Sequence, residues 1–327
     1  MTQTEQLPRT GETSANTDVR LAEWLRALGT GEPRPFGSLE VTPLSAAVVG
    51  ARSWLLLHEA VAKGAIEVRE IGGGGAVNEV QAFNSGEVPV LVVEGESIVG
   101  AKQNRVVVET VLVAPRTLVS IPVGCVEHGR WHARTAQFAV GAMPVSPALR
   151  RSTSREAAEA NRVDQQHLWS EVAICMAAER MSSQTGDYAQ LIEARQREYD
   201  EQARALQPVE GQVGMVAVDR GALVGLEVVG HPDAWRALSS RLLSSYLLWR
   251  APARGTGDPP RGPQHVAGKT APGHARGWLE AVAAGSVRLK PARGLGVGVV
   301  LVGDGFTGAG LWHEDRPMHL AVFGTEK

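Results

Sequence analysis

Apolar and polar positions along the chain follow two different rhythms, and the change from one to the other divides it into stretches. From Val77 to Phe138 the apolar residues come in short β-branched runs separated by turn residues, the signature of strands. Val77–Phe83 starts the series, and Asn84-Ser85-Gly86 marks a turn. Val88–Val93 follows, then Arg105–Val113 and Leu118–Val123, joined through Ala114-Pro115-Arg116. Several short strands with turns between them predict a sandwich-like or rolled sheet.

The helical period takes over downstream. Thr153 and Glu156 have capping-box spacing. Leu168, Val172, Cys175 and Met176 recur on one helical face. A further helix is predicted over Asp187–Leu206, with Tyr188, Leu191, Ile192 and Tyr199 inward. Glu193, Arg195, Arg197, Glu198 and Asp200 form its solvated face. Strands return at Val213–Val218 and Ala222–Val229 around the hairpin turn Asp219-Arg220-Gly221. Asp233 is placed to cap a helix bearing Trp235, Leu238, Leu242 and Tyr246. A short helix near Trp278–Ala284 and strands at Ser286–Leu289, Val297–Val302 and His319–Phe323 close the chain.

Ahead of the sheet, Asp18 is placed to cap a helix with Leu21, Trp24, Leu25 and Leu28 on its apolar face. Leu39–Val41 reads as a strand. Ser53 is placed to cap a second helix that Gly64 closes. The expected fold is therefore α+β: a β-rich N-terminal part over 18–150, a helical bridge with a hairpin-helix unit over 151–250, and a mixed C-terminal helix and strands over 274–327. Residues 1–17 are polar, lack the apolar core of a signal peptide and read as a disordered lead-in. Residues 251–273, rich in Pro and Gly, read as a loop. The surrounding basic residues Arg250, Arg254, Arg261, Lys269 and Arg276 suit either simple solvation or a loose anion contact.

Composition narrows the function classes. A formal net charge of -2 over 327 residues supplies no global field for nucleic acid or an anionic membrane. No apolar stretch approaches the roughly 20 residues that span a bilayer. Two cysteines in the whole chain exclude a disulfide framework and suit a cytoplasmic setting.

Candidate chemistry concentrates in Gly95–Trp131. Between two apolar runs stand Glu96, Lys102, Gln103, Asn104 and Arg105. Gln103 and Asn104 carry both donors and an acceptor, and Arg105 offers a planar fork for carboxylate or phosphate. Glu96 can accept from a ribose hydroxyl, or pair internally with Arg105 or Lys102. The second segment, Ile121–His132, ends a strand and then presents Cys125, Glu127, His128, Arg130, Trp131 and His132. Cys125 shares the face of Val123 and is expected to be an inert core thiol. Glu127 shares that face too and needs a cationic partner, Arg105 or Arg130. Glu127 is the candidate general base with His128 assisting, and Trp131 is a stacking surface or a rim residue. Glu127, His128 and His132 are metal-ligand types without metal-ligand spacing, so no metal is expected. The glycine run Gly72–Gly75 precedes a strand-like pattern and reads as a turn, and Gly294-x-Gly296-x-Gly298 fails the strand-to-helix context of a dinucleotide loop.

Gly100-Ala101-Lys102-Gln103-Asn104-Arg105, with Ile121-Pro122-Val123 and Cys125-Val126-Glu127-His128-Gly129-Arg130-Trp131, resembles the ADP-ribosylglycohydrolase and rhodanese-phosphatase associated protein domain family, over about Val41 to Trp249. The resemblance implies a role near NAD or ADP-ribose metabolism and carries no catalytic assignment. The leading expectation is a small nucleotide-like or ADP-ribose-derived ligand held by Glu96, Lys102, Gln103, Asn104, Arg105, Arg130 and Trp131. A hydrolase or transferase on such a ligand and a non-catalytic assembly module are the alternatives. No cofactor and no oligomeric state is read from the sequence.

Overall fold

The computed structural model describes residues 16–47, 50–72, 76–160, 163–248 and 274–325. The expected lead-in, apart from its last two residues, and the whole 251–273 loop lie outside these. Helix α1 (Thr17–Ala27) opens the chain. Its N-cap is Asn16 in a left-handed conformation, and Asp18, the expected cap, sits inside the first turn instead. Leu21 and Leu25 are buried, as the period requires. Strands β1 (Gly29–Thr30), β2 (Arg34–Phe36) and β3 (Leu39–Ser45) follow, then β4 (Leu55–Leu56) and the one-and-a-half-turn α2 (Leu57–Ala62). Ser53 does not cap α2; the Glu59 carboxylate accepts from the Leu56 N–H at 2.8 Å and does that work from inside the helix.

The β-rich region comprises β5 (Ile66–Glu70), β6 (Glu79–Asn84), β7 (Val90–Val92), β8 (Ser97–Gly100), β9 (Arg105–Val107), β10 (Val111–Val113), β11 (Thr117–Cys125) and β12 (Phe138–Val140). Two departures from the sequence reading matter for the site. Gly95–Arg105 is not a plain loop, because Ser97–Gly100 forms β8 and pairs with both β9 and β12. Arg105–Val113 is not one strand: its halves β9 and β10 enter different sheets, separated by the polar corner Glu109-Thr110. Six strands run in the order β12-β8-β9-β11-β6-β5, and β10-β7-β4 form a smaller sheet. The larger sheet rolls so that its edges approach. α2 and the apolar faces of both sheets fill the interior, with Val68, Val80, Val92, Val107, Ile121 and Phe138 among the core residues.

The helical stretch is α3 (Pro147–Ala160), α4 (Gln165–Ala178) and α5 (Tyr188–Ala205). Thr153 lies within α3, where its hydroxyl donates to the Leu149 and Arg150 carbonyls rather than capping a terminus. Asp164 and Asp187 are the side-chain caps of α4 and α5. The charged face of α5 carries its own ion pairs, Arg197 with Glu201 at 3.3 Å and Arg195 with Glu198 at 3.8 Å, as expected of a solvated face.

The last part contains β13 (Gln212–Asp219), β14 (Ala222–Val229), α6 (Pro232–Tyr246), α7 (His274–Ala283), β15 (Ser286–Pro291), β16 (Val297–Gly303), β17 (Phe306–His313) and β18 (Arg316–Gly324). The cap of α6 is His231, whose Nδ1 accepts from the Asp233 N–H at 3.1 Å, so Asp233 is capped rather than capping. Strand β17 is an addition to the expected three: Thr307-Gly308-Ala309-Gly310 lacks the bulky residues that mark a strand. These strands and β1–β3 form one nine-stranded antiparallel sheet, β1-β3-β13-β14-β18-β17-β16-β15 with β2 also on β3. One face packs on α1 and α7 through Leu21, Leu25, Leu279 and Val282. The other takes α6 and the β-rich region through Trp235, Leu238, Leu242, Trp54 and Leu91. Burial of both faces explains why every residue of β13 is buried despite antiparallel pairing. Among the described residues the molecule has seven helices, and none is long and apolar enough to cross a membrane.

Candidate functional site

The two polar segments meet. β8 and β9 form a hairpin whose turn, residues 101–104, lies against the chain leaving β11. Arg105 pairs in register with Cys125, and the Val126 N–H donates to the Asn104 carbonyl at 3.0 Å. Gly100 at φ 116° and Ala101 at φ 39° turn the backbone sharply. A side chain at Gly100 would stand 2.4 Å from Thr135 Oγ1, so this close approach requires glycine.

At the centre is a buried polar knot. The Arg130 Nε and Nη2 donate to Glu127 Oε1 and Oε2 at 2.8 and 2.6 Å, the bidentate geometry that suits a guanidinium. Arg130 also donates to the carbonyls of Ala101 at 2.6 Å and His132 at 3.0 Å. The Asn104 N–H donates to Glu127 Oε2 at 3.1 Å, and Thr185 Oγ1 donates to Glu127 Oε1 at 3.3 Å. Asn104 Nδ2 reaches Asp187 Oδ1 at 2.9 Å, while Asn104 Oδ1 accepts from the Gly100 N–H at 2.8 Å. Burial by itself would raise the pKa of Glu127. The hydrogen bonds from Arg130 and the Asn104 N–H, with the Arg130 charge, outweigh burial and hold the carboxyl below the usual carboxylate range. Asp187 goes the other way: burial, aided by the Glu127 charge, raises it against the Asn104 hydrogen bond. A carboxylate with donors on both oxygens is stabilised as the anion and weakened as a proton acceptor.

Arg105, also buried, points to the opposite side of the hairpin. It donates to the Val77 carbonyl at 3.0 Å and to Gln103 Oε1 at 3.4 Å, touches Cys125 Sγ, and lies 3.6 Å from Glu70 Oε1. Cys125 is fully buried, and burial pushes its thiol up to about 11 against the pull of Arg105. Its backbone is clasped by the Gln165 side chain, which accepts from the N–H and donates to the carbonyl at 2.8 Å each. Glu96 pairs with neither Arg105 nor Lys102. Arg241 of α6 donates to it at 3.0 Å and also holds the carbonyls of Gly141 and Ala142. Gln103 is buried too and donates to the His128 carbonyl at 3.5 Å.

Of the residues singled out from the sequence, Glu96, Gln103, Asn104, Arg105, Glu127 and Arg130 are therefore buried and bonded within the protein. Lys102 is half-buried, and His128 and Trp131 reach solvent. Trp131 is 47% exposed. The Lys102 ammonium and the Arg105 guanidinium lie 5.6 and 5.5 Å from its ring centroid. His128 meets the edge of Trp169 at 4.1 Å between ring centroids. Arg134, 53% exposed at its side chain, stands 3.9 Å from Glu127. The surface thus presents a cation-backed indole, a second aromatic pair and a nearby guanidinium, on a bed fixed by the Arg130–Glu127 pair. Among the described residues no group of three His, Cys, Asp or Glu side chains is arranged to hold a metal ion.

One family model, described as ARG and Rhodanese-Phosphatase-superfamily-associated Protein domain, matches residues 27–323. The chain belongs to that family. The match to this ARG and rhodanese-phosphatase-superfamily-associated domain exceeds the Val41–Trp249 span expected from the sequence. It takes in β1 and β2 before that span and α7 to β18 after it, which the nine-stranded sheet makes one unit with β3, β13 and β14. No curated protein and no solved structure matches the chain significantly.

A second polar cluster of the domain escaped the sequence reading. Arg150 of α3, wholly buried, donates to Glu94 Oε2 from Nε at 3.1 Å and from Nη2 at 2.9 Å, and it also grips both oxygens of Glu227. Tyr246 donates to Glu227 Oε1 at 2.8 Å, and His319 Nε2 lies 3.3 Å from Glu227 Oε2. The signal that could have found it is Glu227, an acid inside the apolar run Leu226-Glu227-Val228-Val229, which no exposed face could accommodate.

Proposed function

We propose that this chain binds a small anionic, nucleotide-like molecule, of the ADP-ribose or NAD-derived type, on the surface around Trp131. The observation that carries this reading is the half-exposed indole with Lys102 and Arg105 within 5.6 Å of its centroid. A planar base or ribose face packs on such a ring, and the neighbouring cations Lys102 and Arg134 meet phosphate. The buried knot of Asn104, Glu127, Arg130 and Asp187 serves as the rigid support that keeps the rim in place. The family description supports the ligand class only through its wording, where ARG read as ADP-ribosylglycohydrolase points to ADP-ribose. Binding is the step the surface supports. Neither Glu127 nor His128 has a free, aligned partner for proton transfer among the contacts they make.

Isothermal titration with ADP-ribose, NAD and ADP, set against adenosine and ribose 5-phosphate, tests this. Trp131→Ala should weaken the best ligand by about tenfold, as expected from stacking worth about 1–3 kcal/mol, while the fold is retained. Lys102→Ala should weaken phosphate-bearing ligands and leave adenosine unchanged. An absence of heat at millimolar ligand, or unchanged affinity in Trp131→Ala, overturns the reading.

A further inference from the structure

His58 stands where α2 of the β-rich region meets α6, half-buried among two carboxylates and two guanidiniums. Arg241 reaches it from α6. The Arg241 Nη1 donates to Glu96 Oε1 at 3.0 Å and lies 3.2 Å from His58 Nδ1, while its Nη2 and Nε donate to the carbonyls of Gly141 and Ala142 at 2.8 and 3.1 Å. Glu59, the next residue of α2, is paired with Arg52 at 2.7 Å and also accepts from the Leu56 N–H. Each carboxylate therefore has its own guanidinium, and a charged imidazole has no carboxylate left to pair with.

The contact with Arg241 fixes the state of the ring at one nitrogen. A guanidinium carries donors only and cannot accept. Nδ1 must then be the acceptor, which requires it to be unprotonated and the imidazole neutral. An imidazolium would set N–H against N–H at this distance and place a second cation beside Arg241. The backbone that Arg241 holds is well defined. Glu96 directly precedes β8, and Gly141 and Ala142 directly follow β12, the strand paired with β8. The Gly141 N–H donates to the Ser97 carbonyl at 2.7 Å, and β8 leads into the hairpin turn that carries Lys102.

We propose that His58 is a proton-sensitive latch: neutral at neutral pH, it accepts from Arg241 and helps tie α6 to the β8–β12 pair, and its protonation in mild acid breaks that bond and loosens the pair. The charged groups facing it are Arg241 from α6, Glu96 from the turn between β7 and β8, Glu59 from α2 itself and Arg52 from the chain before β4. Strands β4, β7 and β12, which also pack on α2, bring no ionisable side chain. On β5, Glu67 and Arg69 are exposed, and Glu70 is engaged with Arg105. Burial is the largest cause lowering the His58 pKa, followed by the Arg241 charge; Glu96 and Glu59 oppose, and Arg52 lowers it least. As pH falls, the unfolded chain binds this proton before the native one does. Stability from the group is therefore complete above the ordinary imidazole value of about 6.5 and is lost as pH falls through the lower native one.

The test is nuclear magnetic resonance on full-length, isotope-labelled protein with His58 assigned through the backbone, together with amide hydrogen exchange from neutral pH into mild acid. At neutral pH the His58 Nδ1 signal is expected at the unprotonated shift, with a titration midpoint below that of an ordinary histidine. Protection of the Gly141 amide, corrected for intrinsic exchange, should fall across that midpoint by up to about tenfold per pH unit, the limit for one proton, while β16 and β17 keep theirs. His58→Asn supplies a side-chain oxygen that accepts and does not titrate. It should keep the protection at neutral pH and lose the acid dependence. A protonated Nδ1 at neutral pH, a midpoint at or above the ordinary value, or the same acid dependence in His58→Asn overturns the proposal. If His58→Asn fails to fold, the Nδ1 shift and midpoint in wild-type protein still decide it.

Discussion

At the scale of single residues, the polar segment is held by its own groups, with Arg130 donating to both oxygens of the buried Glu127 carboxylate. Amide, guanidinium and carboxylate groups between two apolar runs meant that something had to be satisfied there, and the structure satisfies them against one another. Glu127 found Arg130 rather than Arg105, because Arg130, in the loop after β11, reaches the hairpin turn at the Ala101 carbonyl while Arg105 is held at Val77. Asn104 found Asp187, a contact across 83 residues that no local pattern encodes. The pair Glu127–Arg130 makes a direct prediction. Arg130→Ala leaves a buried anion with its Asn104 and Thr185 donors and only the more distant, half-exposed Arg134 as a cation, and breaking such a pair costs about 3–5 kcal/mol. Urea unfolding at neutral pH should show that loss. The pH dependence has a sign as well. Since Arg130 helps hold Glu127 below its ordinary value, the stability it contributes is present above the unfolded pKa and is lost as pH falls through the folded one. The acid limb of the wild-type stability curve should therefore flatten in Arg130→Ala. An unchanged limb would mean that Glu127 keeps its charge without Arg130.

At the scale of elements, period marked the longer helices and the bulky β-branched strands, while the polar β8, the Gly-rich β17 and the partners of each strand left no such mark. The hairpin β13–β14 came from Asp219-Arg220-Gly221, where Arg220 and Gly221 adopt φ of 49° and 84°, the mirror-turn geometry that Gly favours. Caps were less readable. Asp18, Ser53, Thr153 and Asp233 are all good capping residues by type; Asp18, Ser53 and Asp233 lose the role to a neighbour and Thr153 falls inside α3, because tertiary packing sets where the first turn starts. Glycines carried information that the pattern alone could not use. Gly95 has φ 86°, and a Cβ there would lie 2.3 Å from Arg150 Nε. Gly225 similarly leaves room for the Tyr246 hydroxyl, which a Cβ would meet at 2.0 Å. Gly95→Ala combines a strained φ, worth about 1–3 kcal/mol, with displacement of a fully bonded guanidinium. Its expected cost is about 3 kcal/mol or more, whereas Gly64→Ala, with φ 64° and open space around it, should show the backbone cost alone. Equal melting-temperature losses in the two variants would show that Gly95 is not needed to seat Arg150.

For the molecule as a whole, the sheet explains why the β-rich and C-terminal parts seemed separate in sequence. Strand β3 pairs with β13 across some 170 residues of chain, and β14 pairs with β18, so the C-terminal sheet closes around a strand from the N-terminal third. Such long-range pairing leaves no trace in local periodicity. The β-rich region is fastened to the nine-stranded sheet by polar bonds, since among the described residues none of its strands pairs with that sheet. Leu295 N–H donates to the Leu112 carbonyl at 2.9 Å, beside Gly294, whose Cβ would stand 2.2 Å from that oxygen. Lys290 reaches Glu109 at 3.0 Å. Arg241 holds Glu96, and Arg150 holds Glu94, in the turn between β7 and β8, together with Glu227 of the nine-stranded sheet. Arg150 is the one of these that is wholly buried, so its loss leaves Glu227 without its cation in the core. Arg150→Met keeps much of the apolar stem and removes the charge. It should lower stability by about 3–5 kcal/mol and uncouple the two sheets. Native-state hydrogen exchange would show this as faster opening of β8, β9 and β11 while β13 and β14 stay protected. If all five strands lose protection together, the sheets are joined through the apolar interface of Leu91, Leu112, Met215 and Leu242, and the guanidinium is only one contact among many.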